Sequence, residues 1–237
     1  EPIMGAGGVL VAPRGYHARM QEVLRAHDIL YIADEVVTGF GRLGHIFASE
    51  AVFDTQPDVI NLAKGLSSGY APLGATLISD RLYEVLGTPQ GKGGVLSTGF
   101  TYSGHPVSCA AALKNIEILE REELCANVRE VGPYLEQALA TLSRHPTVGD
   151  VRGSHFMMCI ENVADKDTKA LFPVDARVGD RVAFEAQQRG LIIRPVGHLN
   201  VISPPLIWTR DTVDEAVAIL DEALAATAES LRRDGYL

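Results

Sequence analysis

Apolar positions follow two different spacings along the first half of the chain. Residues 15–28, GYHARMQEVLRAHD, carry apolar side chains at helical spacing. Compact apolar runs follow at 29–34 (ILYIAD), 59–64 (VINLAK) and 74–79 (GATLIS), and the last leads into a short helical segment at 80–87 (DRLYEVLG). Apolar runs that alternate with helices predict the strands of a mainly parallel sheet covered on both faces. Ligands of such sheets bind at the carboxyl ends of the strands. Asp34 and Lys64 stand at two of those ends.

From Pro106 the pattern is helical for a long stretch, PVSCAAALKNIEILEREELCANVREVGPYLEQALATLSRH. Pro106 suits a first turn, where its missing amide is not needed. Gly132-Pro133 predicts a break. Two runs, VGDVRG (148–153) and HFMMCIE (155–161), read as strands. A helix near 174–189 follows, then strands in GLIIRP (190–195) and NVISPP (200–205). A terminal helix is expected over about 211–233, capped by Thr209 or Asp211. The change of texture puts a domain boundary near residue 120, with a large α/β domain over 1–119 and a smaller α+β domain over 120–237. No internal repeat or low-complexity segment interrupts this order.

Composition then narrows the function classes. Of the 237 residues, 46% are hydrophobic and 22% charged, the balance of an ordinary globular protein. The net charge of -9, with no basic cluster, argues against a nucleic-acid or membrane-surface partner. Cys109, Cys125 and Cys159 lack C-x-x-C spacing and are odd in number. They read as reduced core residues of a cytoplasmic protein, and no metal site is expected. No apolar stretch reaches spanning length, because LIIRPVGHLNVISPPLIW is broken by Arg194, Pro195, Pro204 and Pro205. No signal-peptide pattern opens the sequence.

Three local features carry candidate chemistry. The run VINLAK sends Lys64 toward an interior, where an ammonium is costly unless it is paired or loses its charge. An amine that condenses with a carbonyl escapes that cost. Its plain alternative is a lysine whose stem lies along the sheet with its head in water. Asp34 and Glu35 form an acidic pair at a strand end, and strand alternation lets only one of them face a given side. Gly39-Phe40-Gly41-Arg42-Leu43-Gly44 matches G-x-G-x-x-G, the fingerprint of a dinucleotide-binding turn. Its context is poor, since four residues separate it from the preceding strand and Pro57 stops any following helix early. A glycine-rich loop is the plainer reading.

The segments EPIMGAGGVLVAP, IADEVVTGFGRLG, VINLAKGLSSGYAPLGA and GFTYSGHPVSCAAALKNIEIL together resemble the class III (omega) aminotransferases, in order and spacing. The tail GLIIRPVGHLNVISPPLIWTRDTVDEAVAIL is similar to the amine:pyruvate branch. The resemblance implies the fold type I architecture of pyridoxal-phosphate (PLP) enzymes and transfer of an amino group from a primary amine or omega-amino acid to pyruvate or another 2-oxo acid. It implies that Lys64 matches the Schiff-base lysine and Asp34 the carboxylate that pairs with the cofactor's pyridine nitrogen. Val36 matches the residue packed on the ring face. Thr101, with backbone near Phe100, matches the group that reaches the phosphate of a neighbouring subunit's cofactor, so at least a homodimer is implied. Arg194 matches a mobile arginine for a substrate carboxylate. The small residues Gly65, Ser67, Ser68 and Gly69 permit close backbone approach after Lys64.

Two departures qualify the match. Acetylornithine, ornithine and 4-aminobutyrate enzymes usually carry glutamine three positions after the aspartate, where this chain has Val37. That favours the amine:pyruvate or diamine branch. The family also has roughly as much chain again before the point matched by Glu1, with a phosphate loop, a ring-stacking aromatic and much of the substrate pocket. The chain reads as a C-terminal half, which would leave apolar surface exposed by itself. Rival readings are a diamine or 2-oxoglutarate aminotransferase, an aminomutase, an NAD-dependent oxidoreductase and an inactive fragment.

Overall fold

The computed structural model describes residues 1–87 and 98–237. The chain divides into two compact units. One holds Glu1–Pro2 and Ala12–Cys125, the other Ile3–Val11 and Ala126–Leu237. The short antiparallel pair β1 (Ile3–Met4) and β2 (Leu10–Val11) therefore belongs to the second unit.

In the first unit, α1 (Tyr16–Ala26) precedes β3 (Ile32–Asp34), a short α2 (Ala48–Ala51) and β4 (Val59–Leu62). Then come β5 (Ala75–Ile78), α3 (Asp80–Gly87) and α4 (Pro106–Arg121), with Pro106 in the first turn as expected. The sheet order is β3-β4-β5. β3 and β4 are parallel as the pattern predicts, whereas β5 runs antiparallel to β4. The cause is the connection. Residues 63–74 contain a 3₁₀ turn, Lys64–Leu66, but no α-helix. A parallel return needs a crossover, usually a helix, so the chain doubles back beside β4. The expected cover on both faces is also incomplete, since Ile32, Leu77 and Ile78 are 55%, 44% and 38% exposed.

The second unit continues with α5 (Leu124–Ala140), β6 (Val148–Ser154), β7 (Met157–Asn162), α6 (Val178–Gln188), β8 (Arg194–Val196), β9 (Leu199–Ile202) and α7 (Arg210–Arg233). Its sheet is antiparallel throughout, in the order β6-β7-β9-β8. Val128, Val131, Leu135 and Leu139 of α5 pack with Met158 and Ile160 of β7, Val182 of α6, and Val213, Leu220 and Leu224 of α7. The three- and four-residue steps along each helix bring these side chains to one face. Of the two candidate caps for α7, Thr209 acts, its hydroxyl accepting from the Thr212 amide at 3.3 Å.

The long helical stretch breaks, but not at Gly132-Pro133. It turns at Glu122-Glu123, where Glu123 takes φ +52°, and the glycine and proline lie inside α5. A Cβ on Gly132 would sit 2.8 Å from the Cβ of His155, in the turn between β6 and β7. The glycine therefore serves close packing, and the surrounding core carries the helix across Pro133. Cys159 is buried, and burial pushes its thiol up to about 11, whereas Cys109 and Cys125 are only half-buried. Among the described residues no helix is long and apolar enough to cross a membrane.

Candidate active site

The parallel pairing of β3 with β4 aligns Ile32 with Val59, Ala33 with Ile60 and Asp34 with Asn61. The antiparallel pairing of β4 with β5 aligns Asn61 with Thr76. Register partners share one face of a sheet, so Asp34, Asn61 and Thr76 form a polar row across three strands. The Thr76 hydroxyl donates to Asn61 Oδ1 at 3.1 Å. Asp34 is half-buried, and its Oδ1 accepts from the Val36 amide at 3.0 Å. Among the described residues its second oxygen has no hydrogen-bond partner. Val36 is half-buried as well.

Lys64 lies just beyond the same end of β4. The strand stops at Leu62, and Lys64 opens the 3₁₀ turn with φ +45°. This turn takes it off the sheet, and within this chain it is exposed. The strand ends before the lysine, so within this chain the run VINLAK does not itself carry Lys64 into the core. Among the described residues no carboxylate lies within ion-pair distance of its ammonium.

The neighbouring carboxylate takes the opposite side, as alternation requires. Glu35 is fully buried. It accepts from the Thr38 hydroxyl at 2.9 Å, the Ala48 amide at 2.8 Å, the Ser49 amide at 2.7 Å and the Ser49 hydroxyl at 2.6 Å. These bonds satisfy the opening amides of α2 and close the loop 36–47 upon itself. Within the loop the Gly39 amide bonds Glu35 O, the Phe40 amide Ile46 O, the Gly41 amide His45 O and the Gly44 amide Gly41 O, all between 2.7 and 2.9 Å. A dinucleotide turn would turn such amides toward a pyrophosphate at the start of a helix. Here they are spent inside the loop, and only the four-residue α2 follows. The G-x-G-x-x-G match is structural, and the oxidoreductase reading resting on it loses its support. Burial lowers the Arg42 guanidinium in this loop to about 10, which leaves it cationic at neutral pH.

The remaining expected residues are carried by other elements. Phe100, 80% exposed, and Thr101 occupy a turn before α4, and neither hydrogen-bonds to Asp34 or Lys64. Arg194 is exposed on β8, which among the described residues pairs with β9 alone and so forms an edge of the second unit's sheet. Pro195 beside it suits an edge strand, and Gly197 makes the following tight turn with φ +60°. Asn61, Thr76 and the role of Glu35 escaped the reading of the sequence. The available signal was a polar residue in the middle of each apolar strand run, which becomes legible only once the register is known.

The family model for Aminotransferase class-III matches residues 1–224. The chain is 43% identical to an uncharacterized aminotransferase, y4uB, of Sinorhizobium fredii, over 99% of this chain and 51% of that protein. It is 42% identical to probable gamma-aminobutyrate transaminase 4 of Oryza sativa subsp. japonica, over 97% of this chain and 47% of that protein. Among solved structures, an amine transaminase from an uncultivated Pseudomonas species in its PLP-bound form superposes with a TM-score of 0.90 at 43% identity. That match covers 95% of this chain and 51% of the Pseudomonas protein. The chain therefore spans about half the length of each of these relatives.

The Glu35 network generates a stability prediction. In Glu35→Gln an amide group must face donors that now meet a carboxylate, leaving at least one buried pair of donors opposed. The substitution should lower the unfolding free energy of the full-length protein by about 2 kcal/mol or more. A urea titration monitored by circular dichroism measures it, and an unchanged midpoint would show that the loop is held by other contacts.

Proposed function

Because the chain belongs to the class III aminotransferase family, whose fold type I architecture it shares with solved transaminases, we propose that it carries Lys64 and Asp34 of a PLP-dependent transaminase site. The reaction we propose moves an amino group from a primary amine or omega-amino acid to pyruvate or another 2-oxo acid. The observation that carries this reading is the parallel pairing of β3 and β4, which brings Asp34 and Lys64 to one end of one sheet. Among the described residues the donor set suits the cofactor: a primary amine with no carboxylate partner, and a half-buried carboxylate with one oxygen unsatisfied.

Bound at this end, PLP would supply an electron sink for charge developing on the substrate carbon. Lys64 Nζ would hold it covalently at rest. Once displaced by the incoming amine, the same nitrogen would take the proton from the amine-bearing carbon of the substrate and deliver it to the cofactor carbon that Lys64 had held, as base and then acid. The Asp34 carboxylate would accept the pyridine N–H and keep that nitrogen protonated, as an adjacent anion favours the cationic form. Val36 would pack on the ring face. Phe100 and Thr101 would serve the phosphate group in a partner subunit, which makes a homodimer the expected working unit. Arg194 would bind the acceptor's carboxylate with its planar fork. We assign residues 1–119 to the cofactor domain and 120–237 to the small domain, although Ile3–Val11 packs in the second compact unit, and we expect a cytoplasmic location. Val37 favours an amine donor, while the rice relative's name points to gamma-aminobutyrate; the proposed donor class contains both.

The direct test is covalent. Borohydride reduction of the full-length protein loaded with PLP should trap the cofactor on Lys64, identified by peptide mass spectrometry, and Lys64→Ala should show no trapped cofactor and no turnover. Asp34→Asn should still be trapped but should lose on the order of a thousandfold in single-turnover rate, about 4 kcal/mol. Trapping on another lysine would remove the proposal.

Subunit sharing is tested by mixing. Lys64→Ala and Thr101→Ala proteins, each inactive alone, should regain part of the activity after subunit exchange, since one site of each hybrid is intact. No recovery after exchange verified by mass would confine Thr101 to its own subunit or to no site.

Arg194 is tested by separating the half-reactions. An unpaired buried cation is costly, and a flexible arginine on an edge strand can withdraw to water when an uncharged donor is bound. Arg194→Ala should raise the KM for pyruvate by about tenfold or more while changing that for a simple amine by less than about threefold. Equal losses in both halves would indicate a purely structural role.

A further inference from the structure

We propose that Asn115 of α4 is a positioning residue for Lys64, holding the turn from which the lysine projects. This rests on the reading of Lys64 as the reactive amine.

The turn is an unfavourable one. Lys64 takes φ +45°, a left-handed conformation that a side chain with a Cβ adopts only when its surroundings impose it. Its own hydrogen bonds are modest: the Leu66 amide bonds Ala63 O at 3.0 Å, and the Ser67 amide bonds Lys64 O at 3.2 Å. Two outside contacts complete it. On one side Gly65 lies against the loop pinned by Glu35, so closely that a Cβ there would meet the Cβ of Phe40 at 2.9 Å. On the other side Asn115 Nδ2 donates to Gly65 O at 2.8 Å and to Leu66 O at 3.2 Å. Both carbonyls that follow Lys64 are thus held from α4 by one carboxamide.

The position of Asn115 on its helix points the same way. Ser108, Ala112 and Leu119 are the buried residues of α4. Asn115 falls on that stripe, three residues after Ala112 and four before Leu119, where the pattern calls for an apolar side chain. A half-buried amide on an apolar stripe is retained at a cost unless its polar atoms are satisfied. Here its N–H groups are directed at the lysine turn. A general base on a four-carbon stem delivers a proton only if its backbone origin is fixed, since small misplacements cost large factors in rate. Asn115 fixes that origin through the backbone carbonyls of Gly65 and Leu66.

The test uses the full-length protein with two variants. Asn115→Leu keeps the volume and removes both donors. Asn115→Asp keeps size and polarity, and at neutral pH it presents only acceptors to the two carbonyls. For each folded variant, kcat should fall by about tenfold or more while the KM values for donor and acceptor stay within about twofold. In the cofactor-free protein, hydrogen exchange at the Leu66 and Ser67 amides should quicken by about tenfold, while Ile60 and Leu62 in β4 exchange as in the wild type. Unchanged exchange at Leu66 and Ser67 in either variant would overturn the proposal, as would unchanged kcat. Faster exchange in β4 as well, with KM raised, would also overturn it, because that is the signature of general loosening. The exchange measurement needs no cofactor. Failure of borohydride to trap Lys64 in the wild type would therefore refute the transaminase reading separately from the clamp.

Discussion

A buried carboxylate must find its hydrogen bonds inside the protein, and much of the first unit is arranged around one that does. Glu35 collects its donors from Thr38, Ala48 and Ser49, and so closes the loop between β3 and α2. The closed loop presents Phe40 to Gly65 and sets one wall of the turn that carries Lys64. One residue earlier, the same strand turns Asp34 to the opposite side. A structural carboxylate and a chemically available one are thus produced side by side by strand alternation alone.

The two ends of the candidate site differ in how firmly they are held. Asp34 is anchored by its strand and by the Val36 amide. Lys64 stands outside the sheet, and its backbone depends on contacts from the glycine-rich loop and from α4. This division suits the role proposed for Lys64, an amine that alternates between bonding and proton transfer from a fixed backbone. Fixed backbone and a free side chain are separate requirements, and the turn supplies both.

The second unit is built differently, with α5, α6 and α7 packed with an antiparallel sheet through a continuous apolar core. Its reach into the start of the chain buries Ile3 and Val9 and adds polar contacts. Arg152 on β6 donates to Gly8 O at 2.7 Å while pairing with Asp150 and Glu161. Those bonds, with the β1–β2 pair, attach residues 3–11 to a unit whose other residues lie more than a hundred positions later. The exposed apolar side chains of β3 and β5 in the first unit accord with a chain that spans about half the length of its relatives.

Periodicity alone determined much of this protein. The helices from Tyr16, Asp80, Pro106 and Arg210 and the strand runs at Asp34 and Lys64 are written in local spacing, because each side chain's burial follows from the period of its own element. The resemblance of four separated segments to the class III aminotransferases was also legible, since motif order survives in one dimension. Pairing was not. The reversed direction of β5 came from a connection too compact for a helical crossover. The continuation of α5 through Gly132-Pro133 came from His155 packing against the glycine. The burial of Glu35 rather than Asp34, the closing of the G-x-G-x-x-G loop on its own amides and the exposure of Lys64 were likewise set by contacts between residues distant in sequence or by the way a strand end turns. Local pattern records whether a position is buried, but which group satisfies a buried polar atom is a property of the assembled fold alone.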